Sequence, residues 1–438
     1  MSTTPYKKIR CRGPIQARVR IPGSKSFSNR AVLLAALADG TSTLHGVLDS
    51  DDLRVMRVAL GAMGAEIQVS DDTWQVRGTA GRLQGGPAGP NATTASDALT
   101  LDVHASGTAA RFLTAAATLA SGPIRIDGTA RMRQRPIGDL VETLRALGAP
   151  IDIEGSHGCP PVLCFGGGLA GGSAVVDASR SSQYVSAVLQ VAPYATAPVE
   201  LHLRNGQLVS RPYVDMTIDV MRIFGVQAGF KDAATLSVHS KSGYHATVYH
   251  VEPDASTAAY FFCAAAITGG RVRIDDLPGH SKQADLGVLD LLAQMGCQVE
   301  RGSNFCEVQG PPGGRLAPIS TDMNSLPDAV LAMAVTCLFA DGESHIRNVA
   351  NLRIKETDRL AALEAELRKL GAEAHAGPDF LTIKPPAKIV GAEIDTYDDH
   401  RIAMAFSLAG LLVDDVVIRE PECVSKSFPG YFDLLDTL

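Results

Sequence analysis

The strongest constraint on how this chain folds is an internal repeat. An ending of the form apolar-x-x-apolar-Gly recurs around Gly64 (ALGAMGAEI), Gly148 (LRALGAPI), Gly225 (VMRIFGVQA), Gly296 (LLAQMGCQV) and Gly371 (ELRKLGAEA). The copies lie about 70 to 85 residues apart. Each Gly stands where a helix ends in the left-handed conformation, with a strand starting directly after it. The last residues, YFDLLDTL, match a sixth copy of that helix without its Gly. A second element repeats in step with the first. It is an Ala-rich apolar helix, a turn and a β-branched strand, as in SNRAVLLAALADGTSTL, SGTAARFLTAAATLASGPIRI and STAAYFFCAAAITGGRVRI. Such helices are apolar on nearly every side and read as buried. A unit of this kind cannot cover its own apolar face, so units must assemble around shared cores. Six units predict an α/β (α+β) repeat architecture, three to a globule.

The length agrees with that division, because 438 residues are many for one core. No apolar run approaches the ~20 residues of a membrane span. The stretch MSTTPYKKIRCRGP has no apolar region of the secretory kind. The 8 Cys are scattered singly, which predicts the reduced thiols of a cytoplasmic protein. The 11 His show no HExxH or similar spacing, which argues against a dedicated metal site. A net charge of -7 argues against a general nucleic-acid binder. Basic residues that matter are therefore local clusters in an acidic protein.

Those clusters precede the buried helices: GSKSFSNR, HASGTAAR, ASRSSQY, EPDAST, NSLPDA and YDDHR. Capping accounts for Ser, Thr and Asp there. It does not account for Lys25, Arg30, Arg111, Gln183 and Arg401. A buried helix carries charge at its end only where that end opens onto a cleft. Six such ends facing a gap between two domains would form a ring of anion-seeking dipoles lined with bases. GSKS itself is not a phosphate loop, since the first Gly of GxxxxGK[ST] is missing. Gly23 reads instead as a crossing point between domains.

The densest cluster is Asn351 to Arg359, NLRIKETDR, between a strand-like run Ser344–Arg347 and a periodic helix over 360–370. Helical spacing puts Lys355 and Arg359 on one face. With Glu356 beside them they suit a site that grips a phosphate or carboxylate and moves a proton; a salt-bridged helix start is the other reading. Arg131, Arg133 and Arg135 alternate ahead of Pro136. An extended segment would place all three on one face, where like charges repel unless an anion sits among them; a surface loop is the alternative. Ser181, Ser182, Gln183 and Ser210 offer neutral donors suited to a phosphate or polyol, and serve equally as caps and turns. Asp328 and Glu356 are candidate acid/base carboxylates. Asp399 and Arg401 open another buried helix, where Asp is most often a cap. Lys426 sits in SKSFP.

Nine of these segments, in this order, resemble the 5-enolpyruvylshikimate-3-phosphate synthase family over essentially the whole chain. They are PGSKSFSNR, SGTAARFL, RMRQRPIGDL, SSQY, SRPYVD, MNSLPDA, NLRIKETDRL, DDHRIAMAFSL and SKSFPGYF. The resemblance implies an inside-out α/β barrel of two domains, with three repeats in each and the active site in the cleft between them. One domain would hold residues 1–23 with 253–438, and the other residues 24–252. It implies transfer of the carboxyvinyl group of phosphoenolpyruvate to the 5-hydroxyl of 3-phosphoshikimate, releasing phosphate, on the route to chorismate. By matching position, phosphoshikimate contacts are implied for Lys25, Ser26, Arg30, Ser181, Ser182, Gln183, Ser210, Asp328, Asn351 and Lys355. Phosphoenolpyruvate contacts are implied for Lys25, Gly107, Arg135, Gln183, Arg359, Arg401 and Lys426. Asp328 is the implied base, and Glu356 or Lys25 the proton donor to the methylene carbon. The resemblance implies no metal or cofactor, small-molecule partners only, no nucleic acid, no membrane, and a monomer. Ala105 stands where members usually carry Asn, and Phe112 where many carry Pro. Both flank Gly107, so they bear on the fit of phosphoenolpyruvate and of its mimic glyphosate.

Two alternatives stand beside this expectation. The sister transferases acting on UDP-N-acetylglucosamine usually bear a reactive Cys in the first half, but here no Cys lies between Cys11 and Cys159. A non-catalytic polyanion binder would be favoured by loss of an acid/base residue, yet Asp328 and Glu356 are both present.

Overall fold

The computed structural model describes residues 5–87, 97–240 and 243–438. The first four residues of the N-terminal stretch read above lie outside these. Among the described residues the helices come in pairs: α1 (Lys25–Leu37) and α2 (Asp51–Ala62), α3 (Gly107–Ala117) and α4 (Gly138–Ala146), α5 (Gln183–Val191) and α6 (Pro212–Ile223), α7 (Ala255–Thr268) and α8 (Val288–Gln294), α9 (Val330–Cys337) and α10 (Arg359–Lys369), α11 (His400–Gly410) and α12 (Tyr431–Leu435). The first of each pair is an Ala-rich copy and is buried almost end to end. The second of each pair is buried along one side only.

Five of the second helices stop before the repeated glycines, all of which have positive φ. Two of these separate backbone strain from crowding. Gly148 has φ +93, and a Cβ there would meet the Cβ of Ala170 at 2.8 Å; Gly296 has φ +101 with nothing within 4 Å. Gly296→Ala is expected to cost about 1–2 kcal/mol, from the left-handed backbone alone. Gly148→Ala adds overpacking of about 1–3 kcal/mol. Urea unfolding of both variants checks this, and equal losses would show that Ala170 yields freely.

Each full repeat builds one four-stranded sheet. In one, Leu99–Asp102 leads through α3 to Ile124–Asp127, its parallel neighbour. After α4 a hairpin of Ile151–Ile153 and Val162–Cys164 adds antiparallel strands on the far edge. Five four-stranded sheets share this order. The sixth has three strands: Glu393–Ile394 lies parallel to Val417–Arg419, and Tyr6–Lys8 takes the antiparallel place where the others have a hairpin strand.

Two first strands are exchanged. Gln16–Val19 precedes α1 but pairs with Arg271–Asp275, after α7. Val248–His250 precedes α7 but pairs with Thr41–His45, after α1. Where the chain crosses, Gly23 bridges Pro253, Ser24 N donates to Glu252 O at 2.8 Å, and Asp254 N donates to Pro22 O at 2.9 Å. The chain divides into two compact units, Met1–Ser24 with Glu252–Leu438, and Lys25–Val251. Each has its own apolar core, drawn mainly from its three Ala-rich helices and the inner faces of its sheets.

Candidate active site

In the unit that holds both termini, the segment singled out first does not run as one helix. Ala350–Ile354 is a short 3-10 turn, and Lys355 is extended at φ -84, ψ -153. Asp358 then caps α10, its carboxylate accepting from Ala361 N at 3.1 Å. Arg353 holds the other oxygen of Asp358 at 2.7 Å. Lys355 and Arg359 therefore do not share a helical face, contrary to the spacing argument. Asp satisfies free N–H groups better as a cap than inside a helix, so the helix begins only at Arg359.

Arg359 is fully buried and sits among three carboxylates. Its Nε donates to Asp399 Oδ2 at 2.7 Å and its Nη2 to Asp399 Oδ1 at 3.2 Å. Nη2 also reaches Glu356 Oε2 at 3.0 Å, and Nη1 reaches Asp328 Oδ1 at 3.2 Å. Burial works to lower its pKa, but Asp399, Glu356 and Asp328 outweigh burial and hold it above the ordinary arginine value. Asp399 does two jobs, since its Oδ1 also accepts from Arg401 N at 2.9 Å, the first turn of α11. Arg401, equally buried, donates from Nη2 to Asp328 Oδ2 at 2.8 Å. Against burial, Asp328 and its neighbours raise its pKa too. Lys426 Nζ stands 3.8 Å from Glu356 Oε1. Asp328, Glu356, Arg359, Arg401 and Lys426 thus form one cluster, with Asn351 buried and Lys355 half-buried in the adjoining segment. Asp399 joins it as a full ion-pair partner, a role hidden behind its reading as a cap.

In the unit Lys25–Val251, the candidates lie at or shortly before helix starts. At α1, Lys25 Nζ is 3.3 Å from Asp52 Oδ2. Arg30 is buried and held by neutral oxygens: Nε donates to Thr217 Oγ1 at 2.7 Å, Nη1 to Ser26 O at 2.8 Å and Nη2 to Tyr213 O at 2.9 Å. Burial pushes its pKa down to about 10. The ring of Phe112 lies 5.4 Å beneath its guanidinium. At α3, Arg135 Nη1 donates to Ala105 O at 3.2 Å. A Cβ on Gly107 would fall 2.4 Å from Arg135 Nη2, so only glycine lets that guanidinium lie against the start of α3. At α5, Gln183 Nε2 donates to Thr108 Oγ1 at 3.2 Å, which ties α5 to α3. Ser182, directly before α5, and Ser210, two residues before α6, are buried, and Ser210 holds a left-handed φ of 51.

The three alternating arginines do not share a face. Met132–Gln134 is a 3-10 turn, and three residues per turn send alternate side chains apart. Arg133 forks onto Asp127 at 2.8 and 2.6 Å, Arg131 Nη1 donates to Gln134 Oε1 at 3.4 Å, and Arg135 turns inward. The repulsion expected of an extended run is relieved by local partners.

Among the described residues, no helix is long and apolar enough to cross a membrane, and no group of three or more His, Cys, Asp or Glu could hold a metal ion.

Comparison with known proteins places this Ala-rich α/β repeat among the enolpyruvyl transferases. Within that class, the family model for EPSP synthase (3-phosphoshikimate 1-carboxyvinyltransferase) matches residues 9–435, and the chain belongs to that family. It is 45% identical over 424 residues to the 3-phosphoshikimate 1-carboxyvinyltransferase of Serratia proteamaculans, covering 96% of each chain. With that of Shewanella pealeana it shares 44% over 435 residues, 99% of this chain and 98% of the relative. The solved EPSP synthase of Acinetobacter baumannii superposes with a TM-score of 0.80 at 26% identity, over 99% of this chain and 98% of that one.

Proposed function

We propose that this chain transfers the carboxyvinyl group of phosphoenolpyruvate to the 5-hydroxyl of 3-phosphoshikimate and releases phosphate. The observation that carries the reading is the cluster of Asp328, Glu356, Arg359, Arg401 and Lys426, in a chain whose residues 9–435 match the family. The two substrates bring two phosphates and two carboxylates, and need cations more than acids. At rest Asp328 is clamped by Arg359 and Arg401, which makes it a weak base. A phosphoenolpyruvate anion that takes over Arg401 removes one clamp. Asp328 then gains basicity as the hydroxyl arrives, so the base is switched on by the substrate it serves.

The hydroxyl oxygen attacks C2 of phosphoenolpyruvate while Asp328 takes its proton. Glu356, or Lys25, delivers a proton to the methylene carbon, giving a tetrahedral adduct. The group that donated that proton takes a methyl proton back as the C2–oxygen bond to phosphate breaks, and the proton held by Asp328 leaves with the phosphate. Arg135, Arg401 and Lys426 stabilise the departing charge. Lys25, Ser26, Arg30, Ser181, Ser182, Gln183, Ser210, Asn351 and Lys355 hold phosphoshikimate in this reading, and the protein works as a cytoplasmic monomer on small molecules alone. Substituting Gly107→Ala should displace Arg135 and raise KM for phosphoenolpyruvate about tenfold, equivalent to one lost charge-assisted contact of about 1.4 kcal/mol. KM for phosphoshikimate should move far less, and equal changes in both would remove Arg135 from the phosphoenolpyruvate site.

The test of the whole proposal is phosphate release from phosphoenolpyruvate with either acceptor. Release with 3-phosphoshikimate alone supports it. Release with UDP-N-acetylglucosamine alone would assign the chain to the sister reaction, and release with neither would leave a binding protein.

A further inference from the structure

Arg359 and Glu366 are both buried on α10, about two helical turns apart. Together they hold the two ends of one short segment, Asp395 to Asp399. At one end Arg359 forks onto the Asp399 carboxylate, which also accepts from Arg401 N. At the other, Glu366 Oε2 accepts from Asp395 N at 3.2 Å, and Glu366 Oε1 accepts from the Tyr397 hydroxyl at 2.7 Å. Lys369 Nζ lies 2.7 Å from Glu366 Oε2 and donates to Asp395 Oδ2 at 2.8 Å, so the buried carboxylate has a counter-charge. Between the two ends the chain makes a tight turn, closed by Asp399 N donating to Thr396 O at 2.9 Å. Its central residues, Tyr397 at φ 55 and Asp398 at φ 54, are both left-handed, and neither is glycine. A turn of this kind favours Asn and Gly at those places, and a bulky side chain there is strained. The Tyr397 residue is 41% exposed, so burial alone does not hold it in that conformation, and the hydroxyl bond to Glu366 supplies the tie.

We propose that Glu366 and Tyr397 are positioning residues for Asp399: their hydrogen bond holds the left-handed turn in the form that delivers the Asp399 carboxylate to Arg359 and to the first turn of α11. The proposal rests on the reading of Arg359 and Arg401 as phosphoenolpyruvate contacts. A strained turn persists only while its surroundings hold it, so releasing the Tyr397 end lets the segment relax. Asp399 then shifts away from Arg359, whose fork needs both carboxylate oxygens, and α11 loses its cap. Neither Glu366 nor Tyr397 touches a substrate in this reading, and both act through Asp399. Cations already held in place bind an anion more tightly than cations that must first be ordered. The loss therefore falls on phosphoenolpyruvate and largely spares phosphoshikimate, most of whose implied contacts lie elsewhere in the chain.

The experiment is KM for each substrate in the wild-type enzyme and in Tyr397→Phe, with the fold of each checked by thermal melting. The ratio of KM for phosphoenolpyruvate to KM for phosphoshikimate should rise about three- to tenfold, the worth of one hydrogen bond. A merely structural role would lower the melting temperature and leave that ratio where it is, and an unchanged ratio would overturn the proposal. The double variant Tyr397→Asn with Asp398→Gly separates the turn from the bond. Asn and Gly take the left-handed conformation readily, so the turn then needs no tie to Glu366. Its ratio should fall back toward the wild-type value, and a ratio as high as that of Tyr397→Phe would also overturn the proposal. Arg401→Lys keeps the two failures apart. If it leaves the ratio unchanged, the assignment of Arg401 fails and the proposal with it; if it raises the ratio while Tyr397→Phe does not, only the positioning role fails.

Discussion

Asp328→Asn is expected to lower turnover by about 10²- to 10⁴-fold, the usual contribution of a positioned general base. The substitution is nearly isosteric, and Asn keeps one oxygen that can accept from an arginine. Arg359 retains Asp399 and Glu356, so its charge stays compensated. Arg401 loses its 2.8 Å carboxylate partner, and the resting protein should be modestly less stable as a result. The same loss unmasks Arg401 for anions, so KM for phosphoenolpyruvate should hold or fall while kcat collapses. That split is the signature to look for in steady-state kinetics, with a thermal melt to show cooperative unfolding. Turnover within about tenfold of wild type would show that another group takes the hydroxyl proton.

Arg359→Ala is expected to be the most damaging single change to stability in this unit. It leaves Asp328, Glu356 and Asp399 facing one another, Asp399 fully buried and the other two partly buried, without the cation that joins them. Breaking a buried ion pair by removing one partner costs about 3–5 kcal/mol, a large part of the about 5–15 kcal/mol that a folded domain has in total. Arg359→Lys should recover only part of the loss, because an ammonium cannot fork onto Asp399 as the guanidinium does. The folded pKa of Arg359 lies above its ordinary value, so its contribution is present at every pH below that ordinary value and is lost only as pH rises beyond it. Its own titration therefore changes nothing between pH 5 and 9, and the deficit of the Ala variant at neutral pH belongs to the three carboxylates. Urea unfolding at pH 7 measures it. A loss below about 1 kcal/mol would mean that solvent or a rearranged Lys426 replaces the guanidinium.

The cluster was partly legible before the fold was known. Arg359, Glu356, Asp328, Arg401 and Lys426 stand out in the sequence because charge beside an Ala-rich helix needs a reason. Their pairing did not, since the contacts of Arg359 reach Asp399 and Asp328, forty and thirty-one residues away. Two local expectations failed for a shared reason. The common helical face of Lys355 and Arg359, and the common extended face of Arg131, Arg133 and Arg135, assumed regular backbone. Instead Asp358 caps a helix that begins only at Arg359, and Met132–Gln134 forms a 3-10 turn.

By itself the sequence determined what repetition and local chemistry can determine: the six units, the buried Ala-rich helices, and the left-handed glycines that end their companions. These follow from periodicity and from backbone sterics, which act over a few residues. Tertiary structure alone decided which strand completes which sheet, so that Gln16–Val19 and Val248–His250 exchange places and Tyr6–Lys8 finishes the last repeat. It also decided which carboxylate answers each buried arginine. Both are choices among chemically equivalent partners far apart in the chain, and only burial, by making an unpaired charge or an open strand edge costly, selects among them.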